Sequence, residues 1–80
     1  MHEVSLCESI LKIITRQAEK DGFTRALKIS LTIGDLSGAS IEALEFCFPL
    51  VAKGTLAEGA ALLFIPTQGS DLRVSSLEVD

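Results

Sequence analysis

The sequence is poor in aromatic, basic and sulfur-containing residues. Its 80 residues include no Trp or Tyr, one His, two Cys, and seven Lys or Arg against eleven Asp or Glu. Two cysteines do not build a multi-disulfide scaffold, which favours a reduced, cytoplasmic setting. The basic residues do not cluster, so no nucleic-acid partner is expected.

Long apolar runs and a secretory start are also missing. No stretch approaches the ~20 apolar residues of a membrane span, so no membrane association is expected. The opening Met1-His2-Glu3 lacks the positive charge of a signal peptide. What is present is a 48% hydrophobic chain of 80 residues, enough for one domain with a small core. The sequence therefore predicts a single domain over residues 1–80.

Two stretches have the three- and four-residue spacing of apolar side chains that indicates amphipathic helices. The first covers residues 4–20, and Ser5 followed by Glu8 predicts a capping box at its start. The second begins after Ser40, a good N-cap. Because Pro49 lacks an amide donor, we expect this helix either to kink there or to stay regular only as far as Phe48.

Three other stretches indicate strands. Residues 26–33 alternate apolar and polar side chains, which predicts one buried and one solvent-facing side. Residues 60–65 form a short continuous apolar run between Gly and Pro. Residues 72–79 form the last strand, whose apolar positions change parity, so an extra residue is predicted as a bulge at Ser75-Ser76.

This order of elements predicts an α+β, two-layer fold in which two helices pack on one face of a three-stranded mixed sheet. A right-handed crossover makes the first two strands parallel. The short polar connector suggests that the last two pair antiparallel, and the strand order stays open. The second strand has Leu62 and Phe64 on one side and Ala61, Leu63 and Ile65 on the other. The side that no helix covers would be an exposed apolar strip, typical of a partner surface or of a missing segment.

Few residues offer chemistry. The imidazole and amide nitrogens of His2 can join the amine of residue 1 in fused chelate rings, a set that suits Ni(II) or Cu(II). The alternative is a frayed terminal residue. Cys7 and Cys47 are typical of small core residues, have no Cys-x-x-Cys spacing for zinc, and suggest thiol redox chemistry only if the helices bring them together. No nucleophile has a paired base, so no catalytic residue and no enzyme are predicted.

Four segments in the right order, spanning nearly the whole chain, carry a resemblance to a known family. They are Met1-His2-Glu3-Val4-Ser5-Leu6-Cys7, Leu31-Thr32-Ile33-Gly34-Asp35-Leu36-Ser37-Gly38, Lys53-Gly54-Thr55-Leu56-Ala57-Glu58-Gly59 and Leu72-Arg73-Val74-Ser75-Ser76-Leu77-Glu78-Val79. The chain resembles the HypA/HybF family of nickel metallochaperones for hydrogenase maturation.

The resemblance implies a nickel site at the start of the chain. His2 would be the central Ni(II) ligand through its imidazole, Glu3 would assist, and backbone nitrogens from Met1 onward would complete the set. The family delivers nickel to the large subunit of nickel-iron hydrogenase with a HypB-type GTPase, and some members serve urease. Some members carry an acidic residue where this chain has Ser40, which supplies no charge.

The resemblance also bears on the partner surface. In the family the contact with HypB lies near the nickel site. The exposed side of the first helix, represented by Glu3, Lys12 and Arg16, is therefore the predicted contact surface for the GTPase.

One departure from the family is large. Its members carry a zinc-binding lobe with two Cys-x-x-Cys pairs between the last two strands, whereas here the chain runs almost directly from residue 67 to residue 71. The sequence thus predicts a nickel-binding domain without its zinc lobe, and no zinc is expected in this chain. The close match of the flanks favours a deletion over a natural short form. The uncovered strip and the short hinge predict a homodimer or a domain swap.

Three hypotheses follow. The first is a nickel-binding accessory protein that acts by chelation at the start of the chain and by ligand exchange with a partner. The alternative is a protein-interaction module whose metal function disappeared with the zinc lobe. The third is a thiol-redox domain that uses Cys7 and Cys47.

Overall fold

The computed structural model describes residues 3–80, which form two helices and three strands. In chain order these are α1 Glu3–Asp21, β1 Ala26–Gly34, α2 Ile41–Ala52, β2 Ala61–Thr67 and β3 Leu72–Val79. The predicted α+β fold with a three-stranded mixed sheet is confirmed. Across this range, neither helix combines the length and the apolar character that crossing a membrane requires.

Helix α1 packs one apolar stripe into the core. The stripe consists of Cys7, Ile10 and Ile14. The helix already includes Glu3, so Ser5 lies inside its first turns, where its carbonyl accepts a hydrogen bond of 3.0 Å from Ser9 Oγ. The predicted capping box at Ser5 is therefore wrong, because the helix begins before it. Gly22 ends α1 with φ of +82°, and its amide donates to the carbonyl of Ala18 at 2.7 Å.

Helix α2 begins as predicted. Ser40 has an extended backbone, and its Oγ accepts a hydrogen bond of 3.2 Å from the amide of Ala43. The helix continues through Pro49 to Ala52, so of the two predicted alternatives the end at Phe48 is wrong, and the kink at Pro49 stays a prediction. Pro49 lies on the exposed side, while burial of Phe48 and Ala52 on the opposite side keeps the last turn against the core.

The sheet has the order β2-β1-β3, with β1 parallel to β2 and antiparallel to β3. The parallel pair was predicted correctly, but the pairing of the last two strands with each other was wrong. Residues 68–71, called here the connector, instead cross the end of β1. They span two strand spacings, about 9.6 Å, which four residues can bridge. The central strand thus takes both neighbours.

Strand β1 is buried on both sides. Its helix-facing side chains are Ile29, Leu31 and Ile33. Ser30 and Thr32 point to the other face, yet only 6% and 7% of their surfaces are exposed. The predicted solvent-facing side is therefore wrong, since neighbouring strands on both edges cover it. Leu27, which the alternation of residues 26–33 places on the same side as Ile29, is half exposed, and the register with β3 shifts between Ala26 and Lys28.

The predicted bulge in β3 is confirmed. Ser30 pairs with Ser76 and Leu31 pairs with Val74, so Ser75 is the extra residue. Its Oγ donates a hydrogen bond of 3.1 Å to the carbonyl of Ser30. The shift allows apolar residues on both sides of the bulge to pack against the core; they are Leu72, Val74 and Leu77.

The face of the sheet without helices carries the predicted apolar strip. On β2, Leu62 and Phe64 pack against the core. Leu63 and Ile65 point the other way and expose 44% and 41% of their surfaces. We call Leu63 and Ile65 the open-face strip.

Candidate functional site

The predicted metal ligands lie at the start of α1. Met1 and His2 fall outside the residues that the structure describes. Glu3 opens α1 and is half-buried. A carboxylate in this position is favoured by the partial positive charge of the helix N-terminus. Glu3 is therefore held by a rigid element directly after the predicted nickel ligand.

The two cysteines share a neighbourhood with Glu3. Burial raises the pKa of the Cys7 thiol to about 11, and the nearby Cys47 and Glu3 raise it in the same direction. Cys7 has no exposed surface, and both cysteines are free. Because the thiolate is the form that reacts and binds metals, Cys7 has the chemistry of a buried core residue rather than of a redox centre.

Several loops meet near the start of α1. The 19 residues of α1 span about 28 Å and the nine of β1 about 30 Å, and α1 ends just before β1 begins. Since α1 runs antiparallel to β1 and has a similar length, Glu3 at the start of α1 lies at the end of the sheet where β1 finishes. Residues 34–40 and the connector lie at this same end. The proximity of Cys7 to Cys47 agrees, since Cys7 lies in the second turn of α1 and Cys47 lies near the middle of α2, at similar distances from this end.

Ser40 has a structural role at this end. Its Oγ is engaged as the N-cap of α2 through the amide of Ala43. Position 40 is thus occupied by a neutral, hydrogen-bonded group. Ser40 brings no charge towards the start of α1.

The connector is fastened to the end of β1. The amide of Gly34 donates to the carbonyl of Asp71 at 2.6 Å, and the amide of Leu36 donates to the carbonyl of Gly69 at 2.8 Å. In return, the amide of Gly69 donates to Asp35 Oδ1 at 2.9 Å. A Cβ on Gly34 would press on the carbonyl oxygen of Gly69 and lie 2.7 Å from its carbonyl carbon. The crossing therefore requires a glycine at this position.

Sequence reasoning missed this crossing. The available signal was a glycine that ends a strand and is followed at once by Asp35, a pattern typical of a tight turn. Nothing in the pattern showed that Asp35 binds a residue 34 positions later. A cavity of about 250 Å³ opens beside it, between the ends of β1 and β2 and the start of α2. Asp35 is the charged side chain that lines it.

The three residues of the predicted partner surface do not lie on one side of α1. Lys12 and Arg16 are both exposed and lie four residues apart, on one side of α1. Glu3 lies nine residues before Lys12, about two and a half turns, which places it on the opposite side of the helix. Its half-burial agrees with that position. Lys12 and Arg16 form one surface, which we call the basic pair, and Glu3 belongs to another.

The described part of the chain holds no ready-made metal cage. Within residues 3–80, no three His, Cys, Asp or Glu side chains come together in a group that could hold a metal ion. The chemistry that this range contributes is a half-buried carboxylate at a helix start, the buried Cys7 thiol and the partly buried Cys47 thiol nearby, and a rigid arrangement of loops.

Comparison with known proteins adds the family. A family model described as hydrogenase/urease nickel incorporation, metallochaperone, HypA matches residues 1–70. The hydrogenase maturation factor HypA of Xanthobacter autotrophicus is 41% identical over 70 residues, covering 88% of this chain and 62% of that protein. The corresponding protein of Bradyrhizobium sp. is 46% identical over the same shares of the two chains. The chain therefore spans about 62% of the length of these relatives.

Solved structures share the fold. The solution structure of the Ni metallochaperone HypA from Helicobacter pylori matches with a TM-score of 0.89 at 18% identity, covering 99% of this chain and 97% of that one. A second solution structure of a HypA protein gives a TM-score of 0.79, also at 18% identity, over 99% of this chain and 96% of that one. The likeness of fold includes β3, beyond the residues that the family model matches.

Proposed function

The chain belongs to the HypA family of hydrogenase and urease nickel-incorporation proteins, and on that premise we propose that it binds Ni(II) as cargo for hydrogenase maturation. The family match over residues 1–70 carries the proposal, because it includes the Met1-His2-Glu3 start. The role is that of an accessory protein rather than an enzyme. Its setting is the reduced cytoplasm, in which Cys7 and Cys47 stay free.

The proposed ligands are the imidazole of His2 and backbone nitrogens from Met1 onward, with Glu3 assisting. Nitrogen-rich sets suit Ni(II). One observation on the described residues supports the assignment. Glu3 is held at the first turn of α1 beside the proposed ligands, and its carboxylate complements both a cation and the helix N-terminus.

The position of this site suits transfer. A ligand set at the start of the chain can exchange one donor at a time with an acceptor, whereas a closed cage would retain the metal. The end of the domain at which α1 starts also carries residues 34–40 and the connector. A partner that approaches the proposed nickel site would therefore contact several loops. We propose ligand exchange at this end as the delivery step.

A nickel titration tests the ligand set. The chain is titrated with Ni(II) by calorimetry beside His2→Ala, Glu3→Gln and a form with an N-terminal extension. We expect a large loss of affinity for His2→Ala and for the extension, and a smaller loss for Glu3→Gln. Glu8→Gln is the matched control, because Glu8 is an exposed carboxylate of the same helix. Equal affinities in all forms would refute the site.

The pH dependence of the titration adds a second readout. A neutral imidazole must bind the metal, so affinity should fall as the pH drops below ~6.5. Affinity that does not change between pH 7.5 and pH 5.5 would exclude an imidazole ligand. Absence of nickel binding at any pH would instead favour the alternative of an interaction module without a metal.

We further propose that this chain is the nickel-binding domain without a zinc lobe between about residues 67 and 71. Support comes from three observations: the relatives are longer, the family match ends at residue 70, and the likeness of fold continues through β3. The connector is therefore the place where the relatives' extra sequence would enter. Metal analysis after expression with added zinc should find no stoichiometric zinc, and tightly bound zinc would refute this assignment.

The proposed partners are a HypB-type GTPase and the large subunit of nickel-iron hydrogenase. The basic pair, Lys12 and Arg16, is the proposed contact for the GTPase, since both side chains are exposed on one side of α1. Reversing both charges should weaken binding to the GTPase, and the effect should shrink at high salt. Lys20→Glu is the matched control. An unchanged affinity for the double variant would remove this surface from the proposal.

Self-association completes the proposal. The exposed apolar side chains lead us to expect a homodimer, with a domain swap through the connector as one route. The connector is fastened by hydrogen bonds to Gly34 and Leu36, so a swap would first have to break them. A second copy docked on the surface needs no such step.

A further inference from the structure

The outer side of α2 exposes apolar side chains that the core does not use. Phe46 exposes 73% of its surface and Leu50 exposes 65%. They lie four residues apart, with Pro49 beside them, on the side opposite the buried Phe48. We call Phe46, Pro49 and Leu50 the α2 patch. A patch of this kind on a small domain is typical of an interaction surface.

The charges at the two ends of the α2 patch have opposite signs. Glu42 is exposed one turn before Phe46, and Lys53 is exposed three residues after Leu50. Glu42, Phe46, Pro49 and Leu50 follow one stripe at helical spacing, and Lys53 continues it as the C-cap residue directly after α2. The acidic group lies at the helix start and the basic group at its end, with the apolar residues between them.

This layout is complementary to itself. If two copies of α2 cross antiparallel about a two-fold axis near position 48, Phe46 of one copy meets Leu50 of the other. The same arrangement brings Glu42 next to Lys53 of the second copy, twice by symmetry. A two-fold interface requires this kind of self-complementary patch, and opposite charges at its rim fix the register.

We propose that the α2 patch is the docking surface for a second copy of this chain, with the two α2 helices antiparallel. This inference rests on the self-association proposed above and assigns it a surface. The open-face strip is the competing surface, but Leu63 and Ile65 expose less of their area, 44% and 41%. No pair of opposite charges brackets the strip on β2, since residues 61–67 carry no charge.

Sedimentation velocity of the whole chain over a range of concentrations tests the assignment. The α2 patch is a single helix face, smaller than a standard interface, so the dimer should be weak and visible only at the highest protein concentrations. Phe46→Asp should raise the dissociation constant roughly tenfold or more. Leu63→Asp, the matched change on the open-face strip, should leave it unchanged.

A charge exchange makes the test independent of hydrophobic loss. Glu42→Lys alone and Lys53→Glu alone should each raise the dissociation constant about fivefold, because each creates two like-charge pairs. The double variant should return it towards the starting value. Circular dichroism of every variant checks the fold, which should not change since the altered residues are exposed.

The possible outcomes distinguish an error in the assigned surface from an absence of self-association. A dimer that Leu63→Asp disrupts and Phe46→Asp does not would overturn the α2 assignment while leaving self-association intact. Failure of the double charge variant to recover would also overturn it. A monomer at every concentration would overturn both. Rescue by the double variant, with Leu63→Asp unchanged, supports the proposal.

Discussion

Replacing Gly34 with alanine should destabilise the protein through one close approach of two backbone segments. The new Cβ would lie 2.7 Å from the carbonyl carbon of Gly69 and 2.9 Å from the amide nitrogen of Asp71. Both are backbone atoms, so no flexible side chain can move aside. Relief requires the connector to shift, which weakens the bonds from Gly34 to Asp71 and from Leu36 to Gly69.

The magnitude follows from these parts. Each weakened hydrogen bond contributes about 1 kcal/mol, and overpacking adds about 1–3 kcal/mol. The stiffer unfolded chain returns about 0.4–1 kcal/mol. We expect a net loss of about 2–4 kcal/mol for Gly34→Ala, a large share of the ~4–12 kcal/mol expected for 80 residues. The midpoint of thermal unfolding should fall by ~10 °C or more.

Urea denaturation followed by circular dichroism measures this loss. Gly38→Ala is the matched control, because Gly38 has φ of +78° and nothing within 4 Å of the added carbon. Its cost is conformational only, about 1–2 kcal/mol. If Gly34→Ala unfolds at the same urea concentration as the unmodified protein, or costs less than Gly38→Ala, the close crossing of the connector over β1 is refuted.

Three other outcomes are expected. Ser40→Ala should lower the free energy of unfolding by about 1 kcal/mol in urea titrations, since α2 loses its N-cap, and an unchanged midpoint would contradict that role. Iodoacetamide at neutral pH should modify Cys47 well before the buried Cys7, whose pKa is raised to about 11, as read by mass spectrometry; equal rates would contradict the burial. Hydrogen bonds from the Thr24 side chain, and then from backbone amides, lower the pKa of the Asp80 side chain. A lowered folded-state pKa contributes stability above the unfolded value and loses it as pH falls, so Asp80→Asn should reduce the acid sensitivity of unfolding below about pH 4.

Local patterns predicted the elements well because each pattern has a local cause. The change of parity between Val74 and Leu77 required an extra residue in β3, and Ser75 is that residue. Ser40 was identified as an N-cap because its hydroxyl serves an amide three residues away. Interactions of this range are visible in a single sequence.

Long-range contacts account for the errors in the predicted fold. The burial of Ser30 and Thr32 depends on β1 being central, and that depends on where the connector runs. The connector's path depends on hydrogen bonds between residues more than 30 positions apart, such as Gly69 to Asp35. Alternation along β1 alone carries no information about them.

The candidate site divides in a similar way. His2 was a candidate ligand because its nitrogens can form fused chelate rings with the amine of residue 1, but only the resemblance to a family made His2 and Glu3 a predicted nickel site. Glu3 and Lys12 lie on opposite sides of α1. The nine-residue separation between them already implied this once the segment was known to be helical. Exposure of Phe46 was less accessible from sequence, because α2 is apolar over most of its length.

The fastening between the connector and β1 has a mechanical consequence. Four hydrogen bonds join residues 34–36 to residues 67–71. At Gly34 the two backbone segments lie so close together that a Cβ does not fit between them. A lobe inserted at this point in the longer relatives would be attached to a rigid part of the fold rather than to a flexible hinge. A rotation of such a lobe would pull, through these hydrogen bonds, on the turn at residues 35–36 that leads to α2. If the proposed absence of a lobe at this junction is correct, the four hydrogen bonds lie outside the missing segment and would hold the ends of β1 and β3 together without it.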